Sequence, residues 1–98
     1  MNYAIRFRPE VVDDLAEASQ WYDQRSPGLG AEFLAECQAS FDRITAHPQS
    51  VAAGPRDVRS VRLHRFTYVV HYRMEQSTVV VLAVFFGGRD PDTWTDRL

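Results

Sequence analysis

Residues 78–86, Thr-Val-Val-Val-Leu-Ala-Val-Phe-Phe, carry apolar side chains at odd and even positions alike. A strand points successive side chains to opposite faces, so a run that is apolar on both belongs in the middle of a sheet. It is bounded by Glu75-Gln76-Ser77, polar and short enough for a hairpin turn, and by Gly87-Gly88, which stops it. The longest apolar stretch, Val79 to Phe86, is far too short to span a bilayer.

The neighbours of this run supply the rest of a sheet. Tyr68, Val70, Tyr72 and Met74 fall on one face of a preceding strand, with Thr67, Val69, His71 and Arg73 on the other. Before it, Arg59, Val61 and Leu63 share a face, and Ser60 and Arg62 share the opposite one. These connections are too tight for crossovers, so the three strands form an antiparallel meander.

The first half of the chain reads differently. Tyr3 to Phe7 is a short strand candidate. Val11, Leu15, Ala18 and Tyr22 then recur at helical spacing, which predicts a helix from about residue 9 to about residue 25. Ser26-Pro27-Gly28 breaks it. A second helix begins near Leu29 or Gly30, with Phe33, Cys37, Phe41 and Ile44 as its stripe, and ends at His47-Pro48. Residues 48–56 read as a loop, and Asp90-Pro91 opens a closing turn anchored by Trp94.

The expected fold class is α+β. An N-terminal strand and an antiparallel two-helix hairpin precede the meander, and the hairpin packs on one face of an antiparallel sheet. The other face, with His71, Arg73 and Arg62, is expected to stay partly open. At 98 residues the whole chain, 1–98, is expected to be a single domain.

Charge narrows the function. All eleven basic residues are arginine, with four among residues 1–50 against eight acids and seven among residues 51–98 against five. Five of them lie between Arg56 and Arg73. Arginine keeps its charge at any physiological pH and presents a planar fork suited to carboxylates and phosphates. The pI near 5.8 argues against a dedicated nucleic-acid binder, since counterion release rewards many cationic contacts. No secretory signal is visible at the N-terminus, so the cytoplasm is the expected location. A lone Cys37 makes an internal disulfide or a cysteine metal cluster impossible, and no cofactor or metal motif is present.

Individual residues carry a functional and a plain reading. Arg59, Arg62 and Arg65 suit carboxylates of a partner or a phosphate backbone, although spacing across a strand prevents all three from serving one site. Arg73 and Arg89 divide between a binding role and pairing with Asp90 or Asp92. His71 suits proton transfer, with Arg62 and Arg73 as cationic neighbours, but a matching acid is missing. Trp21, Tyr22, Phe33, Phe41 and Tyr68 are expected in the core. Asp13, Asp14 and Glu17 read as a solvated first-turn cluster, not a metal site.

Three segments together carry a resemblance. They are "DDLAEASQWYDQRSPGLGAEFLAE" across the helices, "VRSVRLHRFTYVVHYR" across two strands and "VVVLAVFFGGRDPDTW" into the C-terminus. In order, spacing and length the chain resembles the ParE/RelE superfamily of toxins from type II toxin–antitoxin systems, and the ParE branch more than the RelE branch. The resemblance implies a growth-inhibiting toxin, often linked to plasmid stabilisation. It would bind DNA gyrase without being an enzyme and be neutralised in a hetero-oligomer by a cognate antitoxin whose disordered C-terminal segment wraps it. Under that reading Arg59, Arg62, Arg65, Arg73 and Arg89 are the candidate antitoxin- or target-binding residues.

The first alternative is a RelE-like ribosome-dependent messenger ribonuclease using His71, Arg62 and Arg73. The second is a non-toxic antitoxin-binding or co-repressor module. The chain has no lysine for the pair typical of RelE-like sites. Phe86 stands where many ParE-like chains have histidine.

Overall fold

The computed structural model describes residues 2–88 and 91–98. Its elements are β1 (Ala4–Phe7), α1 (Glu10–Arg25), α2 (Leu29–Ala46), β2 (Arg59–Arg62), β3 (Tyr68–Glu75) and β4 (Thr78–Phe86). Two 3-10 segments, Pro55–Asp57 and Pro91–Arg97, complete the order. The strands form one sheet in the order β1-β4-β3-β2. The expected meander β2-β3-β4 is antiparallel throughout. β1 instead pairs parallel with β4, from Ala4↔Thr78 to Phe7↔Val81, so the sheet is mixed. The two helices between β1 and the meander make this possible, because a parallel pairing needs a long crossover.

The helix hairpin follows from its sequence. Ser26 leaves the helical region and Gly28 adopts a left-handed φ of 89°, which a side chain would resist. The helices then close tightly at Gly30, whose N–H donates to Asp23 Oδ1 at 2.8 Å. A Cβ on Gly30 would lie 2.4 Å from the Ser19 carbonyl oxygen, so only glycine fits between the helices there.

The stripe predicted for α2 is buried in full: Phe33, Cys37, Phe41 and Ile44 face the sheet with Val11, Ala18 and Tyr22 of α1. Phe33 packs edge-on against Phe66 and Tyr68 and lies at a tilt to Tyr22, so the core at this end is aromatic. Burial pushes the Cys37 thiol up to about 12, which leaves it an inert apolar group. Trp21 departs from expectation. It stands 46% exposed at the margin of the stripe.

β4 lies between two apolar clusters. Val79, Val81 and Val84 face the helices, while Val80, Leu82, Ala83 and Phe85 face away. The alternation breaks because Ala83 pairs with His71 but Val81 pairs with Tyr72, leaving Leu82 as an extra residue in a β-bulge. The far cluster is closed by Val58, Trp94 and Leu98, so Trp94 anchors the C-terminal segment as expected. The sheet face expected to be partly open is therefore covered at its centre.

One ion pair holds this second cover in place. β1 ends at Phe7, and beyond it the edge of β4 would be unpaired. There Asp14 Oδ2 accepts the Val84 N–H at 3.0 Å. Arg97 donates to both Asp14 oxygens, at 2.6 and 3.1 Å, and to the Leu82 carbonyl at 3.1 Å. Asp14 thus leaves the solvated cluster expected for it: its side chain is 9% exposed and Arg97's is 15%. Buried carboxylates are stable only when paired and hydrogen-bonded in this way.

Two outcomes follow for the fold. Asp14→Ala strands Arg97 and the Val84 N–H together, and urea denaturation is expected to show a loss of about 3 kcal/mol. Gly30→Ala is expected to cost about 1–3 kcal/mol by the same measurement, through overpacking of the hairpin.

Candidate interaction surface

The arginines do not form one cationic site. Arg59 is half-buried and donates to the Val51 carbonyl, tying β2 to the loop before it. The same loop is held from beneath by Tyr72, whose hydroxyl donates to the Pro48 carbonyl at 2.6 Å. Arg73 lies 3.4 Å from Glu75, and the other oxygen of that carboxylate takes Arg6 at 2.9 Å. Its partner is therefore Glu75, a residue on its own strand. Arg65 pairs with Glu32 of α2 at 2.9 Å and reaches over the Phe66 ring at 5.2 Å. Its backbone N–H and that of His64 donate to Glu36, which pins the β2–β3 loop to α2. Arg62 is exposed at the sheet edge and pairs with no described residue. Arg89, and Asp90 beside it, lie outside the described residues.

His71, Arg62 and Arg73 do share the sheet face opposite the helices, since alternation on β2 and β3 is unbroken. Their surroundings differ from those of an open site. His71 is 9% exposed. Its Nδ1 is 2.8 Å from Ser60 Oγ, and its ring is 5.9 Å from that of Phe85. With Trp94, Pro55 and Val58 it lines a cleft of about 390 Å³. Burial lowers its pKa below the ordinary 6.5, so it is neutral at physiological pH. Among the described residues, no carboxylate or tyrosine hydroxyl is shown against it.

Exposed apolar surface collects elsewhere. Trp21 of α1 and Phe86 at the end of β4 are 46% and 53% exposed. With Tyr22, Tyr68, Thr67 and Glu17 they line a cleft of about 370 Å³. A second cleft of about 380 Å³ shares Thr67, Tyr68 and Phe86 and continues past Arg62, His64 and Arg65. Arg25 covers the Trp21 ring, with its guanidinium carbon 3.9 Å from the centroid. The sequence marks Phe86 by its place, but the bulge hides which way it faces. Strict alternation puts it on the Val80–Leu82 face, and the extra residue turns it toward the helices.

Among the described residues, no group of three or more His, Cys, Asp or Glu side chains could hold a metal ion. No helix among them is long and apolar enough to cross a membrane.

A helix hairpin on one face of a small mixed sheet, with a C-terminal segment folded over the other, defines the class of chain. The family model described as "ParE toxin of type II toxin-antitoxin system, parDE" matches residues 5–91. The chain therefore belongs to the ParE toxin family, whose members are the toxin half of a toxin–antitoxin pair. No curated protein matches its sequence. Among solved structures it is similar to a chain from the chromosomal ParDE toxin–antitoxin system of P. aeruginosa, with a TM-score of 0.73 at 14% identity. That match covers 84% of this chain and 92% of the other, and it shows the same fold.

The His71 environment gives a testable pH dependence. Its folded pKa is depressed, so the unfolded chain binds the proton more readily. The stability this burial permits is complete above about pH 6.5 and falls as pH drops below it. The urea midpoint is expected to decrease between pH 7.5 and 5.5, and His71→Gln is expected to flatten that decrease.

Proposed function

We propose that this chain is a ParE-type toxin that acts inside the bacterial cell by binding a target, and that it does not cleave RNA. The observation that carries the reading is the burial of His71. The one histidine on the strands is 9% exposed, beside Trp94 of the C-terminal segment, and is held by Ser60. A ribonuclease needs a base for the 2′-hydroxyl, an acid for the leaving oxygen and exposed cations to stabilise the phosphorane. Here no acid is shown against His71 among the described residues, and Arg73 is already opposed by Glu75. The missing lysines weigh the same way.

DNA gyrase is the target that the family resemblance implies. Neutralisation would come from a cognate antitoxin whose flexible segment folds onto the toxin, a mode in which charge pairing steers and apolar side chains fix the complex. The candidate contacts are Arg62 and Arg65, the two sequence-predicted arginines at the exposed β2–β3 loop. Arg59 and Arg73 serve the fold, through Val51 and Glu75.

The test is incorporation of labelled thymidine and amino acid in bacteria, minutes after the chain is induced without antitoxin. DNA synthesis is expected to fall first while protein synthesis continues, and His71→Gln is expected to keep this effect. Early loss of protein synthesis that His71→Gln abolishes would establish the ribonuclease instead. Folded protein with no effect on either would leave an inert antitoxin-binding module.

A further inference from the structure

Two residues at the Trp21 end of the sheet carry charge that the fold does not use. Glu17 and Arg62 make no hydrogen bond or ion pair among the described residues. Each lines one of the two clefts that meet at Thr67, Tyr68 and Phe86. Glu17 stands one helical turn before Trp21 on α1, so the two side chains are neighbours. It is the one charged group among the described residues of the first cleft, whose other walls are mostly aromatic. The second cleft has Arg62, His64 and Arg65, and no carboxylate among its described residues. The Arg65–Glu32 pair is 59% and 54% exposed, so it contributes little and leaves Arg65 available to an outside anion.

Charge therefore changes sign along the double cleft. An acidic peptide meets Glu17 as a like charge, and a basic one meets the arginines in the same way. A nucleotide suits both ends. Its base is flat and stacks on aromatic rings such as those of Trp21 and Phe86, which are 46% and 53% exposed. Its phosphates match the planar donor forks of arginine. Clefts of about 370 and 380 Å³ are of the size that small-molecule sites have.

The carboxylate selects the base. Guanine presents two adjacent donors on its pairing edge, N1–H and the 2-amino group, which a carboxylate accepts as a bidentate pair. Adenine offers one amino donor beside a ring nitrogen whose lone pair opposes the second carboxylate oxygen. Burial first, and then the neighbouring Tyr22, Glu17 and Asp14, raise the pKa of the Tyr68 hydroxyl. At the junction of the clefts it therefore stays protonated, a donor for a ribose or phosphate oxygen.

We propose that the double cleft binds a guanine nucleotide. The base lies against Trp21 and Phe86 and pairs with Glu17, and the phosphates meet Arg62, His64 and Arg65. The site does not depend on the toxin reading, although its ligand shares Arg62 and Arg65 with the partner contacts named there.

The test is calorimetric titration of the full chain with GDP, ADP, guanosine and inorganic pyrophosphate. GDP is expected to bind at one site, at least tenfold more tightly than ADP or pyrophosphate, and to quench tryptophan fluorescence through Trp21. Glu17→Gln is expected to bring GDP down to the affinity of ADP and to leave ADP within twofold. Arg62→Glu is expected to weaken GDP at least tenfold and guanosine less than twofold. Both side chains are exposed and unpaired among the described residues, so thermal melting is expected to be unchanged. Val12→Ser, at a site 66% exposed on α1 and outside both clefts, is expected to bind GDP within twofold of the native chain.

A 5′-phosphorylated guanine oligonucleotide separates the two sources of this ligand. Tighter binding than GDP assigns the end of a nucleic-acid strand, and weaker binding assigns the free nucleotide. No saturable binding of GDP to the folded chain would overturn the inference and leave the toxin reading standing. Equal affinity for GDP, ADP and pyrophosphate would also overturn it, as would GDP binding that both cleft variants retain.

Discussion

A strand that is apolar on both faces has to be covered twice, and β4 sets that requirement for this whole chain. The helix hairpin supplies one cover, using the stripes of α1 and α2. The chain then has only residues near the β2 start and the C-terminus left to make the other. It uses Val58, Trp94 and Leu98. The two covers are joined at the bulge, where Asp14 from the helix side and Arg97 from the far side meet at the open edge of β4. A carboxylate and a guanidinium so nearly buried would be costly alone. Together they satisfy a strand edge that no neighbouring strand reaches.

This arrangement separates two surfaces with different prospects. The middle of the sheet, where His71 and Arg73 share a face, is spent on folding: His71 lies beside Trp94 and Arg73 is balanced by Glu75. The end of the sheet near the β2–β3 loop is not. There the strands outrun their covers, and Trp21, Tyr68 and Phe86 reach solvent beside Arg62 and Arg65. A toxin that works by occupying a partner needs that second kind of surface, aromatic and cationic. A nuclease needs titratable groups in contact with solvent and substrate, and the described face offers none around His71.

Much of the fold was legible because its signals are periodic. The helix stripes, the Pro27-Gly28 break and the Glu75-Gln76-Ser77 turn follow from short-range chemistry, and the elements fall where they predict. What escaped was set by long-range geometry. The direction of β1 depends on how a crossover of two helices returns to the sheet, which four residues of strand do not encode. The bulge at Leu82 inverts the facing of every later residue in β4 and so hid which way Phe86 points. Asp14 looked like a first-turn charge because its partner Arg97 lies 83 positions away. Arg73 was expected either to bind a partner or to pair with Asp90 or Asp92, and it meets Glu75, two positions on and on the same face. Trp21 occupied a plausible helix margin, and only the packing of Tyr22 beside it shows that the core was already full.

The C-terminal segment packs Trp94 on one sheet face, while Trp21 at the other end stays exposed. The chain has two tryptophans, one in each place, which makes hydroxyl-radical footprinting of the folded protein the most direct measurement. With Trp21 46% exposed and Trp94 6%, Trp21 is expected to oxidise readily and Trp94 to be protected until the chain unfolds. Equal oxidation of the two in the folded state would contradict the account, because the face over His71 would then be open to substrate.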